Sequence, residues 1–198
     1  MKLLVFVIAL IALVLPVGAQ STFSPDAEGF IRNWLVLAPL PSSESGAEGL
    51  NHDYLNGEAG IRPKPDAQVT VGNVAMTWKT HQTSAYFIDF RESFDRTGGE
   101  QVAGYAVAYV IADAPMNVTL ALGTNDQGKA WLNGKEVFKF LETRVLERDA
   151  DKIPVSLVQG QNVLVLKVVN EVNSWQACAR FLQGSLAVTN LKISLTPQ

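Results

Sequence analysis

Hydrophobic and polar residues alternate with a period of two along much of this chain, which predicts β-strands rather than helices. Residues 102–112 give the clearest case, because Tyr105, Val107, Tyr109 and Ile111 fall on one face. Other strand-like segments are residues 30–37, 85–90, 117–122, 163–169, 175–182 and 191–195. The weaker helical candidates are residues 46–55 and 142–150.

Turn signals separate these segments. Asn133 and Gly134 form an Asn-Gly pair between two strand-like stretches, and both residue types accept the positive φ of a type I′ hairpin turn. Gly160 and Pro115 mark further turns. Short strands separated by such turns predict an all-β protein, an antiparallel sandwich or barrel.

The first residues predict a secretion signal. Lys2 supplies positive charge, residues 3–15 are almost entirely apolar, and small residues end at Ala19. The apolar run is shorter than the ~20 residues of a transmembrane helix. We therefore expect a signal peptide at residues 1–19, with a retained N-terminal anchor as the alternative. Residues 20–198 would then be a single β-sandwich domain of a secreted or periplasmic protein, with no membrane span after cleavage.

Composition narrows the class of protein. The chain has 16 Lys and Arg against 19 Asp and Glu, a net charge of −3, with both signs mixed along it. Nothing in this pattern indicates nucleic-acid binding or a polybasic membrane surface. Cys178 is the one cysteine, so the chain forms no internal disulfide. Because it lies in an apolar stretch, we interpret Cys178 as a small buried hydrophobe rather than a nucleophile.

Five motifs resemble those of a known group of secreted modules. They are WLVLAP (34–39), DYLNGEA (53–59), MTWK (76–79), LGTNDQGKAWLNGK (122–135) and NVLVLKVVN (162–170). In this order they are similar to galactose-binding-domain-like jelly-roll modules, which resemble the sugar-binding domains attached to bacterial glycoside hydrolases and esterases. The resemblance implies a jelly-roll antiparallel β-sandwich, a non-catalytic role and a carbohydrate or glycan ligand. The resemblance is also compatible with a structural calcium ion.

No catalytic constellation stands out. His52 and His81 lack the spacing of a zinc protease, and no Gly-x-Ser-x-Gly, P-loop or dinucleotide motif occurs. Carboxylates are numerous, so a glycosidase pair stays open as an alternative. We expect no enzyme activity, no cofactor and no catalytic metal. Asn125 and Asp126 are interpreted as turn residues; calcium, which takes six to eight oxygen ligands, is the alternative.

Strand direction predicts a ligand site at one end of the sandwich. If successive strands run antiparallel, the loops at residues 91–101, 124–128, 139–152 and 170–174 gather at one end, here called end A. The Asn133-Gly134 turn lies at the opposite end, end B. Sugars are bound by planar aromatic faces and polar groups. From the end-A residues Arg91, Arg96, Asn125, Asp126, Arg144, Arg148, Asp149, Glu171 and Trp175, we predict that the ligand is bound by Arg91, Asn125, Asp126, Arg144 and Trp175.

These residues also have structural interpretations. Trp175 is the first residue of an apolar strand, so it is interpreted either as a core residue or as an aromatic surface for a ligand. Trp34, Trp78 and Trp131 are interpreted as core residues. The leading function is a carbohydrate-binding module. The alternatives are a structural or protein-interaction β-sandwich of an extracellular or periplasmic assembly, and an unrecognised hydrolase. An exposed aromatic side chain at end A would favour the carbohydrate-binding module. A large apolar surface or an open edge strand would favour the protein-interaction sandwich, and a deep pocket with paired carboxylates would favour the hydrolase.

Overall fold

The computed structural model describes residues 21–41, 44–93 and 100–198. Its strands are β1 Thr22–Phe23, β2 Asn33–Leu37, β3 Gln68–Val71, β4 Val74–Thr77, β5 Lys79–Gln82, β6 Ile88–Asp89, β7 Val102–Ala112, β8 Met116–Thr124, β9 Gly128–Leu132, β10 Lys135–Phe140, β11 Asp151–Leu157, β12 Gly160–Asn170, β13 Gln176–Gln183, β14 Leu186–Ala187 and β15 Lys192–Ser194. One helix, α1, spans Gly46–Asn51, and 3-10 turns span Glu58–Gly60 and Phe90–Ser93. The predicted signal peptide at residues 1–19 and Arg96 lie outside the described residues.

Two antiparallel sheets form the sandwich. The larger has the order β1-β15-β7-β12-β9-β10, with β2 paired to β7 and β5 paired to β2. The smaller has the order β11-β8-β13-β14, with β6 paired to β13. The predicted all-β antiparallel sandwich is confirmed. No helix in the described part of the chain is long and apolar enough to cross a membrane.

The centre of the larger sheet is the pair β7 and β12. It runs antiparallel from Val102 opposite Asn170 to Ala112 opposite Gly160. Side chains on successive residues of a strand point to opposite faces, and here both faces are buried. One face of β7 packs against the smaller sheet and the other carries a second apolar cluster. The alternation in the sequence therefore marks two different cores, rather than a core and a solvent face.

A third layer covers the outer face of the larger sheet. It consists of residues 46–78, which are α1, the β3–β4 hairpin and the segments beside them. Leu50, Val71 and Trp78 of this layer pack with Tyr105 and Trp131 of the sheet. The helical candidate at residues 46–55 is confirmed in its first part as α1. The candidate at residues 142–150 is wrong, because this segment is irregular and follows the edge of the sandwich.

A buried ion pair anchors the third layer. Lys167, on β12, is 0% exposed. Its ammonium donates to the carbonyls of Leu50 and His52 and lies 3.1 Å from a carboxylate oxygen of Glu58. Tyr105 donates its hydroxyl to the same carboxylate oxygen at 2.5 Å. The lysine that interrupts an apolar run in the sequence thus attaches residues 50–58 to the sheet.

The buried position of His81 predicts that the stability of the fold depends on pH. It lies on β5 with a side chain 10% exposed, and its Nε2 is 3.8 Å from the Glu92 carboxylate. Burial lowers the pKa of His81, and the carboxylates of Glu92 and Asp89 oppose this. Because the unfolded chain takes up this proton at a higher pH than the folded chain, stability should fall as the pH drops through about 6.5 towards the folded-state pKa.

This pH dependence can be measured by urea unfolding near neutral pH and at about pH 5. The wild type should lose more free energy of unfolding between the two than His81→Gln does. His52→Gln is the control, because its side chain is 53% exposed. Equal losses in the wild type and His81→Gln would contradict the prediction.

Candidate functional site

The loops predicted at end A do meet there. The backbone N–H of Asp126 donates to the carbonyl of Arg144 at 2.8 Å. The Asp126 carboxylate accepts the backbone N–H of Glu171 at 2.9 Å. A guanidinium nitrogen of Arg91 donates to the carbonyl of Asn173 at 2.9 Å. For the described residues, the gathering of these loops at one end is therefore confirmed.

The polar side chains predicted to bind ligand at end A make contacts within the protein. Asn125 and Asp126 are only 8% and 6% exposed. Arg144 donates to the Thr124 hydroxyl at 2.9 Å and to Asp151 at 2.5 Å. The same guanidinium lies 3.9 Å from the centroid of the Phe140 ring. These contacts connect the loops to both sheets, and a ligand role for these residues stays a prediction.

Trp175 offers no exposed face. It is 0% exposed. Its ring stacks on Phe90 with centroids 5.0 Å apart, and its indole N–H donates to the carbonyl of Val168. The expectation of an aromatic platform here is wrong, because the residue before β13 turns inward and fills the core between the sheets. Trp34, Trp78 and Trp131 are also buried, as interpreted.

The thiol and the candidate metal ligands of the described residues were also predicted from the sequence. Cys178 is buried, and burial raises its pKa to about 12, which confirms its interpretation as a small hydrophobe. Among residues 21–41, 44–93 and 100–198, no group of three or more His, Cys, Asp or Glu is placed to hold a metal ion. Asn125 and Asp126 therefore keep their interpretation as turn residues, with calcium binding as the alternative.

The structure shows an opening at end B that the sequence analysis missed. β8 pairs with β11 as far as Met116 opposite Leu157, but its pairing with β13 ends at Thr119 opposite Leu182. β13 then turns at Gly184, which has a φ of 63°, and returns as β14. The smaller sheet therefore has a gap between the first residues of β8 and this turn. The gap leads into a cavity of about 630 Å³, here called the end-B cleft.

The end-B cleft is lined by both hydrogen-bonding and aliphatic side chains. The polar side chains are Asn117, Thr119, Asn133, Lys135, Ser156 and Gln183, and the aliphatic ones include Val118, Leu132, Val137, Val155 and Leu182. Ser156 donates its hydroxyl to Asn117 at 2.7 Å. Lys135 is the one charged group among the described lining residues. Such a surface can hold a ligand by hydrogen bonds and apolar contact.

Unequal strand pairing explains why sequence analysis missed the cleft. The Asn133-Gly134 turn at end B is confirmed, with φ values of 53° and 82°. The neighbouring gap depends instead on where β13 stops pairing with β8. The one local signal is Gly184, a turn residue that sits between two short strands and by itself indicates no opening.

Comparisons with known proteins add little. No family model matches the sequence, and no curated protein matches it. Two crystal structures of Ruminococcus gnavus β-glucuronidase, one of them in complex with uronic isofagomine, align with TM-scores of 0.44 and 0.43 at 11% identity. The alignments cover 89% and 92% of this chain but only 29% and 30% of the enzyme chains. This chain therefore spans less than a third of their length, and similarity at this level carries no argument about function.

Proposed function

We propose that this protein is a secreted or periplasmic, non-catalytic carbohydrate-binding module whose ligand lies in the end-B cleft. The observation that carries the proposal is the lining of the cleft, which combines amide and hydroxyl side chains with aliphatic ones. Sugars present hydroxyls at their edges and apolar ring faces, so they need both kinds of contact. The volume of about 630 Å³ lies within the range of small-molecule sites.

The chemistry of the lining supports binding rather than hydrolysis. Glycosidases use a pair of carboxylates on either side of the scissile bond. The described lining residues of the cleft carry one charge, the ammonium of Lys135. The groups that face a ligand there are hydrogen-bond donors and acceptors, which hold a polyhydroxylated molecule without proton transfer.

The second candidate is a protein-interaction module, and the exposed residues of end A favour it. Leu141, Val145 and Val172 are 44%, 71% and 52% exposed on the loops that meet there. The edge strand β10 argues less for this candidate, because its exposed Lys135, Glu136 and Lys139 discourage strand addition. The two candidates place their partners at opposite ends of the sandwich.

The cleft variant Asn117→Ala/Gln183→Ala tests the carbohydrate proposal. Both side chains are exposed in the cleft, so their removal should leave the fold intact. Each lost hydrogen bond weakens binding by about 0.5–1.5 kcal/mol, so the loss of two should weaken binding roughly 5- to 150-fold in calorimetry against a panel of soluble glycans. Asn51→Ala/Gln68→Ala, which removes two exposed amides outside the cleft, is the matched control and should bind as the wild type does.

Two results would overturn the proposal. One is the absence of saturable binding to any glycan in the panel, with or without added calcium. The other is glycan binding that survives the cleft variant but is lost in Arg91→Ala, which would return the site to end A.

A further inference from the structure

A groove follows β8 on the outer face of the smaller sheet, the face turned away from the larger sheet. Leu120 of β8 packs in the core between the sheets, so its neighbours Ala121 and Thr119 face outward. Lys152 of β11 and Arg180 of β13 both lie opposite Ala121, which places the three side chains in one row. Ala121 is fully buried beneath Lys152 and Arg180, and Thr119 is the β8 residue that lines the groove.

The groove adjoins the end-B cleft. It encloses about 350 Å³, and its lining shares Thr119, Pro154, Leu182 and Gly184 with that of the cleft. From the position of Ala121, opposite Lys152 and Arg180, to Asn117 in the cleft, β8 extends over four residue steps, roughly 14 Å at about 3.4 Å per residue. Groove and cleft together form an elongated surface, long enough for more than one sugar unit.

The charge of this surface is opposite in sign to that of the chain. The chain has a net charge of −3. Lys135, Lys152 and Arg180 all line the cleft or the groove. The one carboxylate in the two linings is Asp149, whose oxygen accepts a bond from the Arg180 guanidinium at 2.8 Å. An excess of positive charge remains along the path that a ligand would follow.

We infer that the ligand is an anionic oligosaccharide, which lies along β8 from the end-B cleft to Lys152 and Arg180. This inference rests on the proposed function and adds the ligand class. Because Arg180 is paired with Asp149, carboxylate or sulfate groups on the sugars would face the ammonium groups of Lys135 and Lys152. Charge-assisted hydrogen bonds are roughly twice as strong as neutral ones.

Calorimetry with three tetrasaccharides tests the inference: one of uronic acid units, one sulfated and one neutral. Lys152→Glu reverses an exposed charge in the groove, and the matched control Lys64→Glu reverses an exposed charge on the third layer. We expect Lys152→Glu to weaken binding of at least one anionic ligand on the order of tenfold and to change neutral binding less than twofold. Lys64→Glu should change neither. The preferred anion identifies carboxylate or sulfate as the recognised group.

The outcomes separate the inference from the proposed function. If the neutral ligand binds as tightly as the anionic ones and Lys152→Glu has no effect, the inference is overturned and the carbohydrate module stands. Equal weakening by Lys152→Glu and Lys64→Glu would indicate general charge attraction and also overturn it. If none of the three ligands binds and the wider glycan panel is silent, both fail.

Discussion

Glu58→Ala should destabilise the protein by about 3–5 kcal/mol, because it leaves the Lys167 ammonium buried without its counter-charge. Lys167 is 0% exposed and lies 3.1 Å from Glu58. The hydroxyl of Tyr105 loses its acceptor in the same variant. Urea unfolding measures the change, and the third layer should loosen first, since residues 50–58 are attached to the sheet through this pair.

Two further variants test the cause. Glu28→Ala is the matched control, because its carboxylate is 55% exposed and pairs with Arg148 at 2.7 Å; it should cost less than about 1 kcal/mol. The double variant Glu58→Leu/Lys167→Met removes both buried charges and should recover much of the stability lost in Glu58→Ala. A loss in Glu58→Ala no larger than in Glu28→Ala would contradict a buried ion pair that anchors this layer.

Trp175→Ala should lower the free energy of unfolding by about 3–5 kcal/mol, because it leaves a cavity where a fully buried indole was. The ring stacks on Phe90 and approaches within 2.8 Å of the position that a Cβ on Gly104 would take. Trp175→Phe keeps an aromatic ring beside Phe90 and should lose less. Thermal or urea unfolding of both variants provides the measurement.

The same variant separates a core role from a ligand role. If Trp175 serves the core, the folded fraction of Trp175→Phe should bind glycans in the end-B cleft as the wild type does. Binding lost in Trp175→Phe with stability unchanged would contradict this and restore the aromatic platform at end A.

The fold class follows from local features of the sequence. Alternation along residues 102–112 and the Asn133-Gly134 turn both depend on the geometry of a few neighbouring residues. Strand direction predicts that the loops with Asp126, Arg144 and Glu171 lie at one end of the sandwich, because antiparallel pairing fixes the end at which each loop emerges. These predictions are confirmed.

The candidate site could not be predicted in this way. Whether Trp175 points into the core or to solvent depends on a residue distant in sequence, Phe90, which occupies the space beside it. In the sequence, Lys167 is only the charged residue that interrupts the apolar run at residues 163–169. Its partner Glu58 lies in a segment whose packing on the sheet has no local signature.

The type of element, the turns and the end of the sandwich at which each loop lies could therefore be predicted, since these depend on short-range backbone geometry. Only the folded chain shows that both faces of β7 are buried, that the end-A side chains bond within the protein, and that the smaller sheet opens between β8 and the turn at Gly184. Burial and strand pairing are set by contacts between residues far apart in the chain. A pattern of neighbouring residues carries no information on which distant surface will cover it.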